Sequence, residues 1–78
     1  MRVFAHLRTV EKTDYNPLLE FAQIPSVGEY FATGATSPWY RVDAVVHCPF
    51  EHADYAAEVY ASQVEARKLV DNWHDGVE

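Results

Sequence analysis

The chain has one cysteine, Cys48, among 78 residues. A lone thiol cannot close an intrachain disulfide, so the stapled scaffolds of small secreted proteins are excluded. A reducing compartment, most simply the cytoplasm, is expected. No apolar run approaches the roughly 20 residues of a membrane-spanning helix. The opening stretch MRVFAHLRTVEK has no apolar segment long enough for a signal peptide. Basic residues are scarce too, with 6 Lys and Arg against 12 Asp and Glu, for a net charge of −6. That balance suits a phosphate backbone poorly, because gripping one asks for Lys and Arg. Residues 1–50 hold five acids against four basic residues, and residues 51–78 hold seven against two. The acidity is therefore C-terminal. Its plain reading is solubility. Its functional reading is a basic protein surface, approached with the help of charge complementarity.

What the chain does have is apolar and aromatic bulk: 49% hydrophobic and 14% aromatic residues. Disorder needs the opposite composition. A chain of this length makes one domain, 1–78, with a small core.

MRVFAHLRTV alternates, with Val3, Ala5, Leu7 and Thr9 on one face and Arg2, Phe4, His6, Arg8 and Val10 on the other. That is a strand with one wet face. Asp14, Asn16 and Pro17 break it, and LLEFAQ reads equally as a short strand or one helical turn. Pro25 sets Ile24 extended. VGEYFAT is a second strand, with Gly28 marking a bulge or tight start. After the loop GATSP, WYRVDAVVH is the clearest strand. Strict alternation puts Tyr40, Val42, Ala44 and Val46 on one face and Trp39, Arg41, Asp43 and Val45 on the other. These two strands form an antiparallel hairpin, Val27 to His47.

The stretch ADYAAEVYASQVEARKLVDNWHDG lacks Gly and Pro until Gly76. Tyr55, Ala57, Val59 and Ala61 alternate, whereas Ala66, Leu69, Val70 and Trp73 follow helical spacing. SQVE has the form of a capping box, with Ser62 as N-cap. A strand 54–61 and a C-terminal helix 63–75 are predicted. The fold class is mainly β (α+β): a small partial barrel or curled antiparallel sheet of four to five strands, with the helix covering one side.

The segments IPSVGEYF, WYRVDAVVH and AEVYA resemble small uncharacterised bacterial and phage proteins with a Val-Gly-Glu step and a Trp-Tyr-Arg-Val strand. More loosely they are similar to SH3-like barrels. The resemblance spans Pro25 to Ala61, about half the chain. It implies a barrel that binds peptides or nucleic acid and seldom catalyses, and it carries over no site residues.

His47, Cys48, Glu51 and His52 lie within six positions. Neighbours such as His47 and Cys48 point to opposite sides of an extended chain, and a zinc site would need His6 or His74 to complete it. Cys48 beside a histidine lacks an orienting acid and an oxyanion hole, and reads instead as a small buried hydrophobe. No metal, cofactor or catalytic residue is assigned. Phe4, Phe21, Phe31, Tyr40 and Trp73 are expected in the core. Tyr30, Trp39, Tyr55 and Tyr60 are expected nearer the surface.

The functional expectation is a non-enzymatic protein-binding module. Its contact residues would be Trp39, Tyr40 and Arg41 at the hairpin mouth, with Glu51, Asp54 and Glu58 from the acidic segment. A sharper version is a phage or mobile-element inhibitor whose acids stand in for phosphates and block a nucleic-acid-binding partner. The alternative is an SH3-like, nucleic-acid-associated module with a local basic groove of Arg2, Arg8, Lys12 and Arg41.

Overall fold

The computed structural model describes residues 1–11 and 14–65. Six strands form one sheet: β1 (Arg2–Arg8), β2 (Asp14–Tyr15), β3 (Leu18–Glu20), β4 (Tyr30–Ala32), β5 (Trp39–His47) and β6 (Ala57–Val64). The order is β2-β1-β6-β5-β4, with β3 sharing the outer edge of β1 with β2. The fold is mainly β, a curled half-barrel. All pairings are antiparallel except that of β1 with β6, the first strand with the last, which is parallel.

The alternation of β1 is borne out. Val3, Ala5 and Leu7 are buried, and their register partners on β6, Ala57, Val59 and Ala61, are buried with them. Tyr40 and Val42 of β5 complete this inner face. Leu19, Phe21, Ile24, Phe31 and Val45 pack over it. Phe31 stands edge-on to Phe21 at 5.4 Å and stacks on Tyr40 at 5.8 Å. Of the other rings expected in the core, Phe4 lies on the opposite face, and Trp73 falls outside the described residues.

The ambiguous LLEFAQ is settled as strand for Leu18–Glu20. Pro17 separates β2 from β3 because it has no N–H to give a ladder. Its carbonyl still accepts from Ala5 N at 3.0 Å. The terminal amine of Met1 reaches the Phe21 carbonyl and lies 2.7 Å from Glu20 Oε2. The hydrogen bond and charge of that amine hold the Glu20 carboxyl below its ordinary range.

Two bulges bend the sheet. Glu29 N bonds back to Ser26 O at 3.0 Å, and Gly28 has φ of +93°, as the third residue of a type II turn requires. Gly28 N then donates to Val42 O while Glu29 O accepts from Val42 N, both at 2.8 Å. Two residues facing one, with a left-handed glycine first, is a G1 bulge. The second bulge corrects the reading of β5. Val42 faces Ala61 and Ala44 faces the adjacent Tyr60, so Asp43 is an extra residue. Past it the alternation slips by one, as any inserted residue must cause in a period of two. Val45 turns inward in place of Ala44 and Val46, and Val46 is left 47% exposed.

The C-terminal third also differs from expectation. β6 runs through Ser62 to Val64, so Ser62 caps no helix and residues 63 and 64 are strand. The rest of the expected helix 63–75, from residue 66 on, lies outside the described residues. The physical reason is pairing. The residues from Ala57 to Val64 find a complete antiparallel partner in β5, and Ser62 Oγ donates to Asp43 Oδ2 at 2.5 Å instead of to a helix N-terminus.

Candidate partner-binding surface

The outer face of the sheet carries what the inner face cannot hold. In the parallel register of β1 and β6, Phe4 lies beside Glu58 and His6 beside Tyr60. The His6 and Tyr60 rings stack at 4.3 Å, within 6° of parallel. Phe4 meets His6 edge-on at 4.9 Å and Tyr55 at 5.3 Å. Together the four rings make a continuous aromatic ladder. Each such contact is worth about 0.5–1.5 kcal/mol beyond area burial. The His6 ring N–H at Nε2 donates to Glu58 Oε1 at 2.8 Å. Apolar side chains extend the ladder sideways. Leu18, Phe4, Glu58 and Val46 form one row across four strands, and Tyr60 is 42% exposed.

At the far end of the same face, Trp39 opens β5 with 38% exposure, flanked in register by Ala32 and Val64. Trp39, Tyr30, Phe31 and Ala32 line an open recess of about 300 Å³. The preceding loop is pinned by one hydroxyl. Ser37 Oγ accepts from Thr33 N at 2.9 Å and from Gly34 N at 3.1 Å. Trp39 is therefore presented from a braced turn.

The expected residues do not form one patch. Tyr40 points to the inner face and is only 4% exposed, because neighbours on a strand face opposite ways. Trp39 and Arg41 share the outer face, and Arg41 Nε lies 3.5 Å from Asp43 Oδ1. Glu51 and Asp54 occupy the loop between β5 and β6, at the other end of β5 from Trp39. The nine residues of β5 set these ends roughly 26 Å apart. Asp54 and Glu58 come together around Tyr55. Desolvation first, then the carboxylate of Glu58, Cys48 and the carboxylate of Asp54 raise the Tyr55 phenol above its ordinary value.

The described arginines of the alternative groove each stand beside an acid in the sheet. Arg2 faces Glu20 and Arg8 faces Asp14 in register, and Arg41 pairs with Asp43. Lys12 lies outside the described residues. Cys48 is buried while His47 and His52 are exposed. Among the described residues, no three His, Cys, Asp or Glu side chains gather as a metal site would require.

The ladder of Phe4, His6 and Tyr60 was not legible in the sequence as a unit. Alternation placed Phe4 and His6 on one face, but the parallel pairing with β6 that stacks His6 on Tyr60 leaves no local signal. No protein-family model, curated protein or solved structure matches this chain. Among the described residues, no helix is long and apolar enough to cross a membrane.

Proposed function

We propose that this chain is a non-enzymatic protein-binding module that docks on a basic partner through its outer sheet face. The carrying observation is the pairing of aromatic exposure with surplus acid. Phe4, Tyr55, Tyr60 and Trp39 stand on or beside that face, and every described arginine already has a carboxylate opposite or adjacent. Aromatic anchors in a chain with twice as many acids as basic residues favour a protein bearing Lys and Arg over a phosphate backbone. The acids that stand beside these arginines weaken the alternative nucleic-acid groove. The small half-barrel is compatible with the SH3-like architecture suggested by the Val-Gly-Glu step.

The inhibitor version needs its acids on one continuous surface; Glu51, Asp54 and Glu58 lie toward one end of the sheet. Glu65 sits at the other, roughly 23 Å along β6 from Glu58. Asp71, Asp75 and Glu78 lie outside the described residues. A free thiol fits a reducing, cytoplasmic setting.

The test is capture of a partner by the immobilised chain, followed by calorimetry with the purified partner. Trp39→Ala is expected to weaken binding by about 2 kcal/mol, with a smaller loss in urea stability. Unchanged affinity with a large stability loss makes Trp39 a packing residue only. Salt-sensitive retention on immobilised DNA or RNA, with no protein captured, would favour the alternative.

A further inference from the structure

The two edges of the sheet are finished differently. The β1 edge is covered by β2 and β3, interrupted by Pro17 and carrying Asp14 and Glu20. The β4 edge is Tyr-Phe-Ala, without charge, proline or a covering strand among the described residues. Such an edge is a template for another strand unless it is blunted.

The hydrogen-bond phase shows what it offers. Val42 bonds to Gly28 and Glu29, so the next paired residues are Phe31 and Tyr40, which stand in register. Tyr30 and Ala32 therefore turn their N–H and C=O groups away from β5. No backbone bond joins either residue to another described segment.

Each side of this edge has a recess of about 300 Å³. One is lined by Tyr30, Phe31, Ala32 and Trp39. The other is lined by Phe21 to Pro25, Glu29, Tyr30 and Phe31. They share Tyr30 and Phe31, so they flank the same short strand. A strand added there would send successive side chains alternately into the two recesses.

We propose that β4 accepts an extended peptide segment of a partner protein, with two adjacent apolar residues flanked by Lys or Arg. This deepens the protein-binding reading and rests on it. The unpaired amides and carbonyls select an extended backbone. The twin recesses select adjacent apolar side chains. Glu29 at the rim and the net charge of −6 select a basic flank and repel a second copy.

The test uses the full-length ¹⁵N-labelled chain and the peptide acetyl-Lys-Thr-Val-Leu-Thr-Lys-amide. Saturating peptide is expected to slow amide exchange at Tyr30 and Ala32 about tenfold or more, leaving Tyr40 unchanged. A Glu-flanked peptide is expected to bind at least about fivefold more weakly at low salt. Ala32→Pro, which removes an outward N–H, is expected to weaken binding about tenfold or more. If that variant does not fold, a peptide N-methylated at Val and Leu makes the same deletion from the ligand's side. Equal binding of the N-methylated or Glu-flanked peptide, or shifts centred on His6 and Tyr60, overturns the proposal. So does the same protection appearing when the chain alone is concentrated, which would mark pairing between copies. An Ala32→Pro chain that folds and still captures its partner at full affinity overturns the edge assignment alone. A wild-type chain that binds the peptide at β4 but captures no protein counts against the broader reading.

Discussion

Over the central strands β1 and β6, the two faces of the sheet hold opposite kinds of side chain. The centre of the inner face is built from Val3, Ala5, Leu7, Val42, Ala57, Val59 and Ala61, and its rings, Tyr40, Phe31 and Phe21, gather at the β4–β5 margin. The outer face holds Phe4, His6, Tyr60 and Trp39. A curled sheet explains the inversion. Its inside converges, so residues on adjacent strands crowd one another and small aliphatic side chains fill the space at native density. Its outside diverges and leaves room for rings lying over one another. Aromatic density in a short chain is therefore not by itself a measure of core.

The comparison can be broken by deleting bulk from each face. Leu7→Ala is expected to cost about 2–5 kcal/mol by urea denaturation, since Leu7 is 1% exposed and the cavity cannot collapse fully. Tyr60→Ala on the outer face is expected to cost about 1 kcal/mol, the worth of its stack on His6. Comparable losses would mean that the ladder is a second core and not a presented surface.

A sharper version uses neighbours across the Asp43 bulge. Val45→Asn is expected to cost about 1–3 kcal/mol for an amide turned into the packed face, and Val46→Asn within about 0.5 kcal/mol of zero. Strict alternation along β5 demands the reverse order, so the two denaturation curves decide between the registers.

Ser62→Ala is expected to cost about 1 kcal/mol through the lost bond to the Asp43 carboxylate. In an Asp43→Ala background that cost should vanish, as a double-mutant cycle would show. A loss independent of Asp43 would return Ser62 to the role of helix cap.

The smallest effect is spectroscopic. The phenol absorbance change at high pH, taken as the difference between wild type and Tyr55→Phe, should titrate above the ordinary tyrosine value. A raised folded-state value means that the native fold holds this proton more tightly than the unfolded chain does. Tyr55 thus contributes stability below the unfolded value that is lost as pH rises through the folded one. Glu58→Gln and Asp54→Asn should each bring the titration down. No change in either would remove the acids from the surroundings of the ring.

Much of the inner face was readable because period-two alternation is local. Spacing places Val3, Ala5 and Leu7, and again Ala57, Val59 and Ala61, correctly, but it puts Tyr55 with them, and Tyr55 lies before β6 begins and packs on Phe4 of the outer face. The Val-Gly-Glu step announced the bend at Gly28 because a left-handed φ favours glycine. Asp43 was a missed signal, since aspartate is a poor strand former and marked the residue at which alternation failed. The capping-box reading of SQVE failed because a short motif cannot register that Ser62 has a strand partner across the sheet. The site suffered in the same way. Trp39 could be placed at a hairpin mouth from its neighbours, but its distance from Glu51 and Asp54 follows from β5 running on to His47.

The parallel pairing at the centre of the sheet also sets how the chain must fold. His6 meets Glu58 across 52 residues, and the strands between them supply only flanking positions. Long-range closure on this scale gives a high contact order, and such topologies fold on the millisecond-to-second scale, not in microseconds. During synthesis β1 emerges first, with its central neighbour still unmade and its apolar residues Val3, Ala5 and Leu7 unsheltered. β2 and β3 follow within a few residues and can close over one side early. The other side stays open until β6 has left the ribosome, which makes that interval the stage at which the nascent chain is most exposed to aggregation.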